Sequence, residues 1–221
     1  MTASAILALI VAYLLGSVPS AVWIGKAFYG IDVREYGSGN AGATNTFRVL
    51  GKKAGIPVLL LDILKGLLAV LMAHLVTDAP PGSQPFVNLQ IVFGVMAVIG
   101  HVFPIFAAFR GGKGIATLFG VVMAVHPWAC LMAVGVFLSV FILTSYVSLS
   151  SISAGISFPI IVILAFGASV VPSMVVFSVL VAILILITHQ KNIERLLRRE
   201  ESKMKFVKKN NQGSDSSNVN A

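Results

Sequence analysis

The chain has 221 residues, of which 57% are hydrophobic and only 11% are charged. A soluble domain carries about a quarter charged residues, so this composition excludes an ordinary water-soluble globular protein. The formal net charge is +8, but aromatic and basic residues are not interleaved, and we expect no nucleic-acid partner. The composition instead predicts a single domain whose helices lie in a lipid bilayer.

The apolar segments predict an all-α polytopic membrane protein with about seven transmembrane helices. They span residues 3–24, 55–76, 87–106, 115–126, 128–146, 153–168 and 172–188. No basic stretch precedes the first segment, so we expect a retained helix rather than a cleaved signal peptide. The pair His126-Pro127 favours a break between the fourth and fifth segments, because proline lacks an amide donor. One kinked helix at that point, and a total of five or six helices, are the alternatives.

The first polar motif is glycine-rich and runs from Gly37 to Arg48. Consecutive amides near glycine form an anion-binding nest, and an arginine fork suits phosphate. A flexible connector is the alternative interpretation. The candidate substrate-binding groups of this motif, with Ser38 also a catalytic candidate, are Ser38, Gly39, Asn40, Thr44, Asn45 and Arg48.

Two charged residues, Asp62 and Lys65, lie within the second apolar segment, three positions apart. Charges inside a membrane helix are costly and usually mark a site or an internal ion pair. We include Lys65 as a candidate substrate-binding residue, with a purely internal pair as the alternative.

The second polar motif combines His101 with a glycine loop that contains Lys113. It lacks the spacing of a nucleotide phosphate loop, but a glycine loop leading into a helix still favours phosphate. A structural turn is the alternative for the loop, and a packing histidine is the alternative for His101. The candidates of this motif, of which Lys113 is also catalytic, are His101, Gly111, Gly112, Lys113, Gly114 and Thr117.

The third polar motif contains His189, Asn192 and Arg195, which roughly share one face of a helix. We take His189 and Asn192 as catalytic candidates. The charges from Arg198 to Lys209 predict a solvated amphipathic helix at the membrane surface. Residues 1–205 then form one transmembrane domain, and the polar tail 206–221 is predicted to be disordered.

The distribution of Lys and Arg predicts the orientation. Five basic residues follow the first apolar segment and eight follow the last, whereas the connections near 77–86, 126–128, 146–153 and 167–172 carry none. The positive-inside rule therefore places the loops 26–54 and 107–114 and the C-terminus in the cytoplasm, and the N-terminus outside.

The absence of several motifs excludes some kinds of catalytic site. Four scattered histidines and one cysteine form no metal-ligand pattern, and we expect neither a metal nor a cofactor. There is no Gly-x-Ser-x-Gly elbow for a nucleophilic serine. The His-x4-Asp pair of other glycerolipid acyltransferases is absent as well.

The three polar motifs together resemble the bacterial acyl-phosphate:glycerol-3-phosphate acyltransferase family of the PlsY type. The matches run from Gly37 to Arg48, from Gly100 to Thr117 and from His189 to Leu196, in the family's order. The likeness spans roughly residues 1–205. One departure is visible, because the family often has glycine where this chain has Arg199.

The resemblance implies seven helices, an acyl-phosphate donor, no metal, and lysophosphatidate as the product. It also implies a bacterial inner membrane with the active site on its cytoplasmic face, and an upstream enzyme that forms the acyl phosphate. The glycine-loop amides and Lys113 are then expected to hold the acyl phosphate, while Arg48, Ser38 and Lys65 hold glycerol 3-phosphate.

Two questions stay open at this point. The base that deprotonates the attacking hydroxyl is either His189 or the donor's own phosphate, and the resemblance favours the latter. A transporter or channel for an organic phosphate is the rival function, although such a protein would usually place polar residues near the midplane of several helices.

Overall fold

A computed structural model describes residues 3–204, and these residues form eleven α-helices and two short 3-10 turns. No strand occurs in this part of the chain, as the apolar segments predict. The helices are α1 (Ala3–Ser17), α2 (Ser20–Tyr29), α3 (Ala43–Leu50), α4 (Lys52–Leu71), α5 (Ala73–Val76), α6 (Gln84–Val102), α7 (Ile115–Val125), α8 (Pro127–Thr144), α9 (Val147–Phe166), α10 (Pro172–Thr188) and α11 (Gln190–Leu197).

Four helical stretches are long and apolar enough to cross a membrane: Lys52–Val76, Gln84–Ala107, Pro127–Thr144 and Val147–Phe166. The number rises to six if each of two bent helix pairs counts as one span. Helix α7 is apolar but has only 11 residues, which corresponds to about 16 Å of helix. The described part of the chain is therefore all-helical, and the protein is a multi-pass membrane protein.

Two predicted boundaries differ from the structure for identifiable reasons. The first apolar segment was expected to be one helix, but α1 and α2 meet at an angle of 42°. Pro19 lies at that break, where its missing amide cannot continue the helix. The predicted helix from Arg198 onward is wrong for residues 198–204, because α11 ends at Leu197. The predicted disordered tail, 206–221, lies outside the described residues.

Glycines allow the central helices to approach closely. A Cβ atom on Gly66 of α4 would collide with the carbonyl oxygen of Thr117, and one on Gly120 of α7 would collide with that of Ile63. Small residues at such crossings let helix backbones pack in lipid, where the hydrophobic effect does not drive association. The tight α4–α7 contact fixes the start of α7, which carries the second polar motif.

The three polar motifs meet at one end of the bundle. Arg34, just before the first motif, donates to backbone carbonyls of Ala107 and Arg110 in the second. Lys113 of the second motif donates to Asn192 of the third. The break predicted at His126-Pro127 is confirmed, because α7 ends at Val125 and α8 begins at Pro127. The His126 ring at this break contacts the ring of Phe166.

Candidate active site at one end of the helix bundle

The first glycine loop is built around the buried side chain of Asn45. Its amide nitrogen donates to the carbonyls of Val33 and Tyr36 at 2.8 and 3.1 Å. Its oxygen accepts from the backbone and the hydroxyl of Ser38 at 2.9 and 3.1 Å. Gly37 has a φ of +61°, which allows the sharp turn that this pattern requires. Asn45 therefore shapes the loop from beneath, and Ser38 is exposed on its surface.

The surface of this loop carries the groups that a ligand can reach. Ser38, Gly39, Thr44 and Arg48 are exposed, and Asn40 is half-buried. Helix α3 starts directly after the loop, at Ala43. The first amides of a helix have no partner within the helix and favour an anion. Arg48 lies on the same short helix, so the loop, the helix start and a guanidinium form one surface.

The second glycine loop folds back on the end of α6. The amides of Gly111 and Gly112 donate to the carbonyls of Val102 and His101 at 3.2 and 3.1 Å. A Cβ atom on Gly112 would collide with Nε2 of the buried His101 ring. The His101 ring thus supports the loop from below. The loop in turn places Lys113 directly before α7. Gly114 caps α7 with a φ of +81°, and the nearby Thr117 is fully buried.

The third motif closes the site through a polar network. Lys113 donates to the Asn192 side-chain oxygen. The Asn192 amide and the Arg195 guanidinium donate to the two oxygens of Glu201 at 2.7 and 2.8 Å. Burial opposes ionisation of this carboxyl, but polar contacts with Ser148, Asn192 and Arg195 outweigh it and lower the pKa of Glu201. Asn192 and Arg195 therefore lie on one face of the helix, as expected, and both contact Glu201. The sequence did not indicate this common partner.

Three cations share this region. Burial lowers the pKa of Lys113 to about 8; Glu201 counteracts this, and the positive charges of Arg195 and Arg48 add to it. Mutual repulsion among these groups means that an anion bound between them would relieve an existing electrostatic cost. The region is therefore suited to phosphate-bearing ligands.

His189 lies at the junction of α10 and α11 and is almost completely buried. Its Nδ1 is 2.9 Å from the carbonyl oxygen of Ile185. A carbonyl can only accept, so Nδ1 carries a proton and Nε2 is the acceptor of the neutral ring. Lys113 and Glu201 are both close enough to interact electrostatically with this ring.

A buried polar cluster lies beneath the loops. Asp62 Oδ1 receives contacts from Lys65 at 2.8 Å and from Ser20 at 3.0 Å. Lys65 also donates to the carbonyl of Val18 at 2.9 Å, and Nδ1 of His101 is 3.6 Å from Asp62. A cavity of about 10 Å³ adjoins this cluster and reaches Gly111 and Gly112. Lys65 is 6% exposed, and its contacts are those of an internal ion pair.

An apolar groove starts beside the second loop. It has a volume of about 190 Å³ and is lined by Val95, Val98, Ile99, Val102, Phe103, Leu118, Phe177, Leu180, Val181 and Leu184. A Cβ atom on Gly114 would contact Val98 at 3.1 Å, so one wall of the groove touches the residue after Lys113. An alkyl chain in the groove would therefore place its head group near the cations.

The structure brings the predicted site residues into one region, but some lie at the loop surface and others are buried beneath it. The loop surfaces carry the exposed residues Ser38, Gly39, Thr44 and Arg48 and the half-buried Lys113, whereas Asn45, Lys65, His101 and Thr117 are buried beneath them. Sequence reasoning missed four polar residues with site contacts. They are Ser20, Asp32, Arg34 and Glu201. The spacing Asp32-x-Arg34 just before a glycine loop is a signal that could have identified two of them.

The fold and the site define a class of protein: a membrane-embedded site with cationic loops for a phosphate-bearing head group and a groove for an apolar chain. A family model described as glycerol-3-phosphate acyltransferase matches residues 6–199, and the chain belongs to this family. This confirms the resemblance inferred from the three motifs.

Relatives and solved structures agree with this assignment. The chain is 44% identical to the glycerol-3-phosphate acyltransferase of Salinibacter ruber, covering 89% of this chain and 90% of the relative. It is 46% identical to that of Staphylococcus carnosus, covering 91% and 98%. The fold is similar to crystal structures of PlsY (YgiH), an integral membrane glycerol 3-phosphate acyltransferase.

Two forms of that enzyme match. The glycerol 3-phosphate form gives a TM-score of 0.81 at 40% identity, covering 91% of this chain and 96% of that chain. The lysophosphatidic acid form gives a TM-score of 0.78 at 39% identity, with the same coverage.

Proposed function

We propose that this protein transfers a fatty acyl group from acyl phosphate to the 1-hydroxyl of glycerol 3-phosphate. The products are lysophosphatidate and inorganic phosphate, and the reaction begins phospholipid synthesis. The observation that carries the proposal is the grouping of Arg48 and Arg195 around Lys113, whose neighbour Gly114 adjoins Val98 in the wall of the apolar groove. Two phosphate-bearing substrates, one with an alkyl chain, match this combination of charge and shape.

The reaction requires little from the protein beyond binding and orientation. The glycerol hydroxyl oxygen forms a bond to the carbonyl carbon of the acyl phosphate, and the bond from that carbon to the phosphate oxygen breaks. Phosphate is already a good leaving group, so no covalent enzyme intermediate is needed. Holding both substrates in line supplies proximity, and Lys113 stabilises the negative charge that develops on the donor.

We assign the two substrates to the two glycine loops. Arg48 and Ser38, with the exposed surface of the first loop, would bind glycerol 3-phosphate. The ammonium of Lys113 would bind the acyl phosphate, whose chain lies in the groove. The expected role of the Gly111 and Gly112 amides in this binding is wrong, because they donate to the carbonyls of Val102 and His101 and shape the loop. Asn45, Lys65 and His101 would support these surfaces from beneath, because their contacts are with the protein.

The proton of the attacking hydroxyl has two possible acceptors. His189 offers Nε2 as an acceptor, since Nδ1 donates to Ile185. The dianionic donor phosphate becomes more basic as it leaves and is the alternative. We propose the donor phosphate as the acceptor, with Asn192 orienting Lys113 toward it.

We further propose seven membrane crossings, with the bent pairs α1–α2 and α10–α11 and the short helix α7 each counted as one. The N-terminus then lies outside and the polar motifs face the cytoplasm of a bacterial inner membrane. Residues 1–205 form the single catalytic domain. A reactive acyl phosphate implies an enzyme upstream that forms it, acting on the same side of the membrane.

The proposed function is tested by comparing acyl donors with purified protein. With chelator present, acyl phosphate should support acylation of glycerol 3-phosphate, while acyl-CoA and acyl-carrier protein should serve poorly. Efficient use of acyl-CoA would contradict the proposed donor. Activity that is lost in chelator and restored by a metal would contradict the proposed chemistry.

Two substitutions test the assignment of substrates to loops. Arg48→Ala should chiefly weaken the use of glycerol 3-phosphate, and Lys113→Ala should chiefly weaken the use of acyl phosphate. A charge-assisted contact contributes about 1.5–3 kcal/mol, which corresponds to one to two decades in the affected constant. Arg48→Lys should rescue only partly, because an ammonium cannot make a two-pronged contact. A two-substrate kinetic matrix separates these effects, and a reversed pattern would mean that the loops are assigned wrongly.

A further inference from the structure

Arg34 physically connects the two substrate loops. Its Nη1 donates to the carbonyl of Ala107 at 2.9 Å and to that of Arg110 at 3.3 Å. These acceptors are more than 70 positions away in the sequence and stand just before Gly111. Arg34 itself lies four residues before Ser38 in the sequence. Arg34 therefore bridges the approach to the first loop and the approach to the second.

The guanidinium is held rigidly by its own loop. Asp32 accepts from Nε at 2.9 Å and from Nη2 at 2.7 Å, and it also accepts from the backbone amide of Arg34. The hydrogen bond with Arg34 outweighs the effect of burial and holds the pKa of Asp32 well below its usual range. A two-pronged pair of this kind fixes the plane of the guanidinium, so Nη1 points in one direction.

The segment that accepts these hydrogen bonds needs external support. Ala108 and Phe109, which lie between the two accepting carbonyls, have φ values of +53° and +57°. This left-handed conformation costs about 1–2 kcal/mol for a residue with a side chain. Such conformations persist where surrounding contacts restrain them. Arg34 restrains both ends of the segment that leads directly into Gly111, Gly112 and Lys113.

We propose that Arg34 is a positioning residue that fixes the separation of the two substrate-binding loops, and so the distance between the glycerol hydroxyl and the acyl carbonyl. This inference rests on the proposed function. The guanidinium of Arg34 donates to Asp32 and to two backbone carbonyls. We therefore assign it no direct contact with either substrate. Its effect should therefore fall on the geometry of the ternary complex, where a misplacement of about 1 Å can cost 100-fold in rate.

The kinetic test compares the effect of each substitution on kcat with its effect on the KM of each substrate. Arg34→Ala should lower kcat by about 10- to 100-fold, while the KM for each substrate changes by less than about threefold. Arg34→Lys should restore little, because one ammonium cannot hold Asp32 and both carbonyls together. Lys26→Ala is the matched control: Lys26 also contacts Asp32, at 3.4 Å, but it is 59% exposed and does not contact the second loop. Its kcat should stay near that of the parent enzyme.

The structural test does not depend on activity. Spin labels on Glu35→Cys and Ile105→Cys, in a Cys130→Ala background, report the separation of the two loops, since both positions are exposed. The distance distribution should be narrow with Arg34, broader with Arg34→Ala or Arg34→Lys, and unchanged with Lys26→Ala. The two Arg34 variants are measured independently, so a folding failure of one leaves the other informative.

The outcomes separate this inference from the proposed function. An unchanged distribution in the folded Arg34 variants, or a broadened one with unchanged kcat, would overturn the positioning role. A parent enzyme without acyl-transfer activity would overturn the proposed function, while a broadened distribution would still establish the connection between the loops.

Discussion

Lys113 is the residue whose charge state should control donor use. Burial, with Arg195 and Arg48 nearby, lowers its pKa to about 8, so the free enzyme carries the ammonium below that pH and the neutral amine above it. We expect kcat/KM for acyl phosphate to be highest below pH 8 and to fall with increasing pH, approaching tenfold per pH unit. Initial rates at subsaturating acyl phosphate, measured from pH 6.5 to 9.5, test this.

Lys113→Arg supplies the control for this profile. A guanidinium stays charged over the whole range, so the decline above pH 8 should disappear even if the overall rate is lower. The second ionisation of a phosphate lies near pH 6, below the range in which Lys113 titrates. An identical decline in Lys113→Arg would assign the pH dependence to a different group.

Residue types were easier to predict than residue roles. The glycines and cations of the three motifs indicated phosphate because their chemistry is local. Asn45 was a candidate ligand, but its amide nitrogen donates to Val33 and Tyr36 and its oxygen accepts from Ser38. Sequence spacing could not distinguish a group facing a ligand from one that shapes the loop below it.

At the scale of single elements, the end of α11 places a conformational requirement on the position of Arg199. Arg199 has a φ of +59°. The amide of Glu200 donates to the carbonyl of Arg195 at 2.7 Å, and that of Arg199 donates to Leu196 at 3.1 Å. This is the Schellman arrangement, in which the position of Arg199 favours glycine. A glycine at this position would therefore serve the conformation of the chain rather than catalysis.

Arg199→Gly should therefore stabilise the folded protein. Relief of the left-handed strain contributes about 1–2 kcal/mol, and the greater freedom of glycine in the unfolded chain offsets about 0.4–1 kcal/mol of it. We expect a net gain of up to about 1.6 kcal/mol, seen as a higher midpoint of thermal unfolding in detergent. Donor and acceptor KM values should not change.

The neighbouring position provides a matched control. Arg198 has an ordinary helical φ of −82°, so Arg198→Gly relieves no strain and also removes an exposed ion pair with Glu194. It should leave the midpoint unchanged or lower it. If both glycine variants moved the midpoint in the same direction, the conformational explanation would be wrong.

Long apolar elements were predictable, and short polar ones were not. The break at His126-Pro127 follows from one residue's missing amide. Helices α3 and α11 have eight residues each, and such short helices depend on tertiary contacts rather than on their own propensity. Glu201 holds Asn192 and Arg195 of α11, and that contact depends on how the chain returns after the helix ends.

For the whole molecule, the sequence predicted that the motifs share one face, because basic loops collect on one side of a membrane. The positions of the three motifs relative to one another required the fold. The close α4–α7 crossing at Gly66 and Gly120 sets where the second loop starts. The contacts of Arg34 and Lys113 then join loops that are distant in sequence.

The proposed orientation can be measured with single cysteines in a Cys130→Ala background. Glu35→Cys and Lys191→Cys lie at exposed positions near the site, and Asp78→Cys lies at an exposed position of the connection between α5 and α6. In intact cells, a membrane-impermeant thiol reagent should label position 78 and leave 35 and 191 unlabelled. All three should react once the membrane is opened, which verifies that each is accessible. Labelling of position 35 or 191 from outside would place the cationic loops away from the cytoplasmic pool of glycerol 3-phosphate and would contradict the proposed topology.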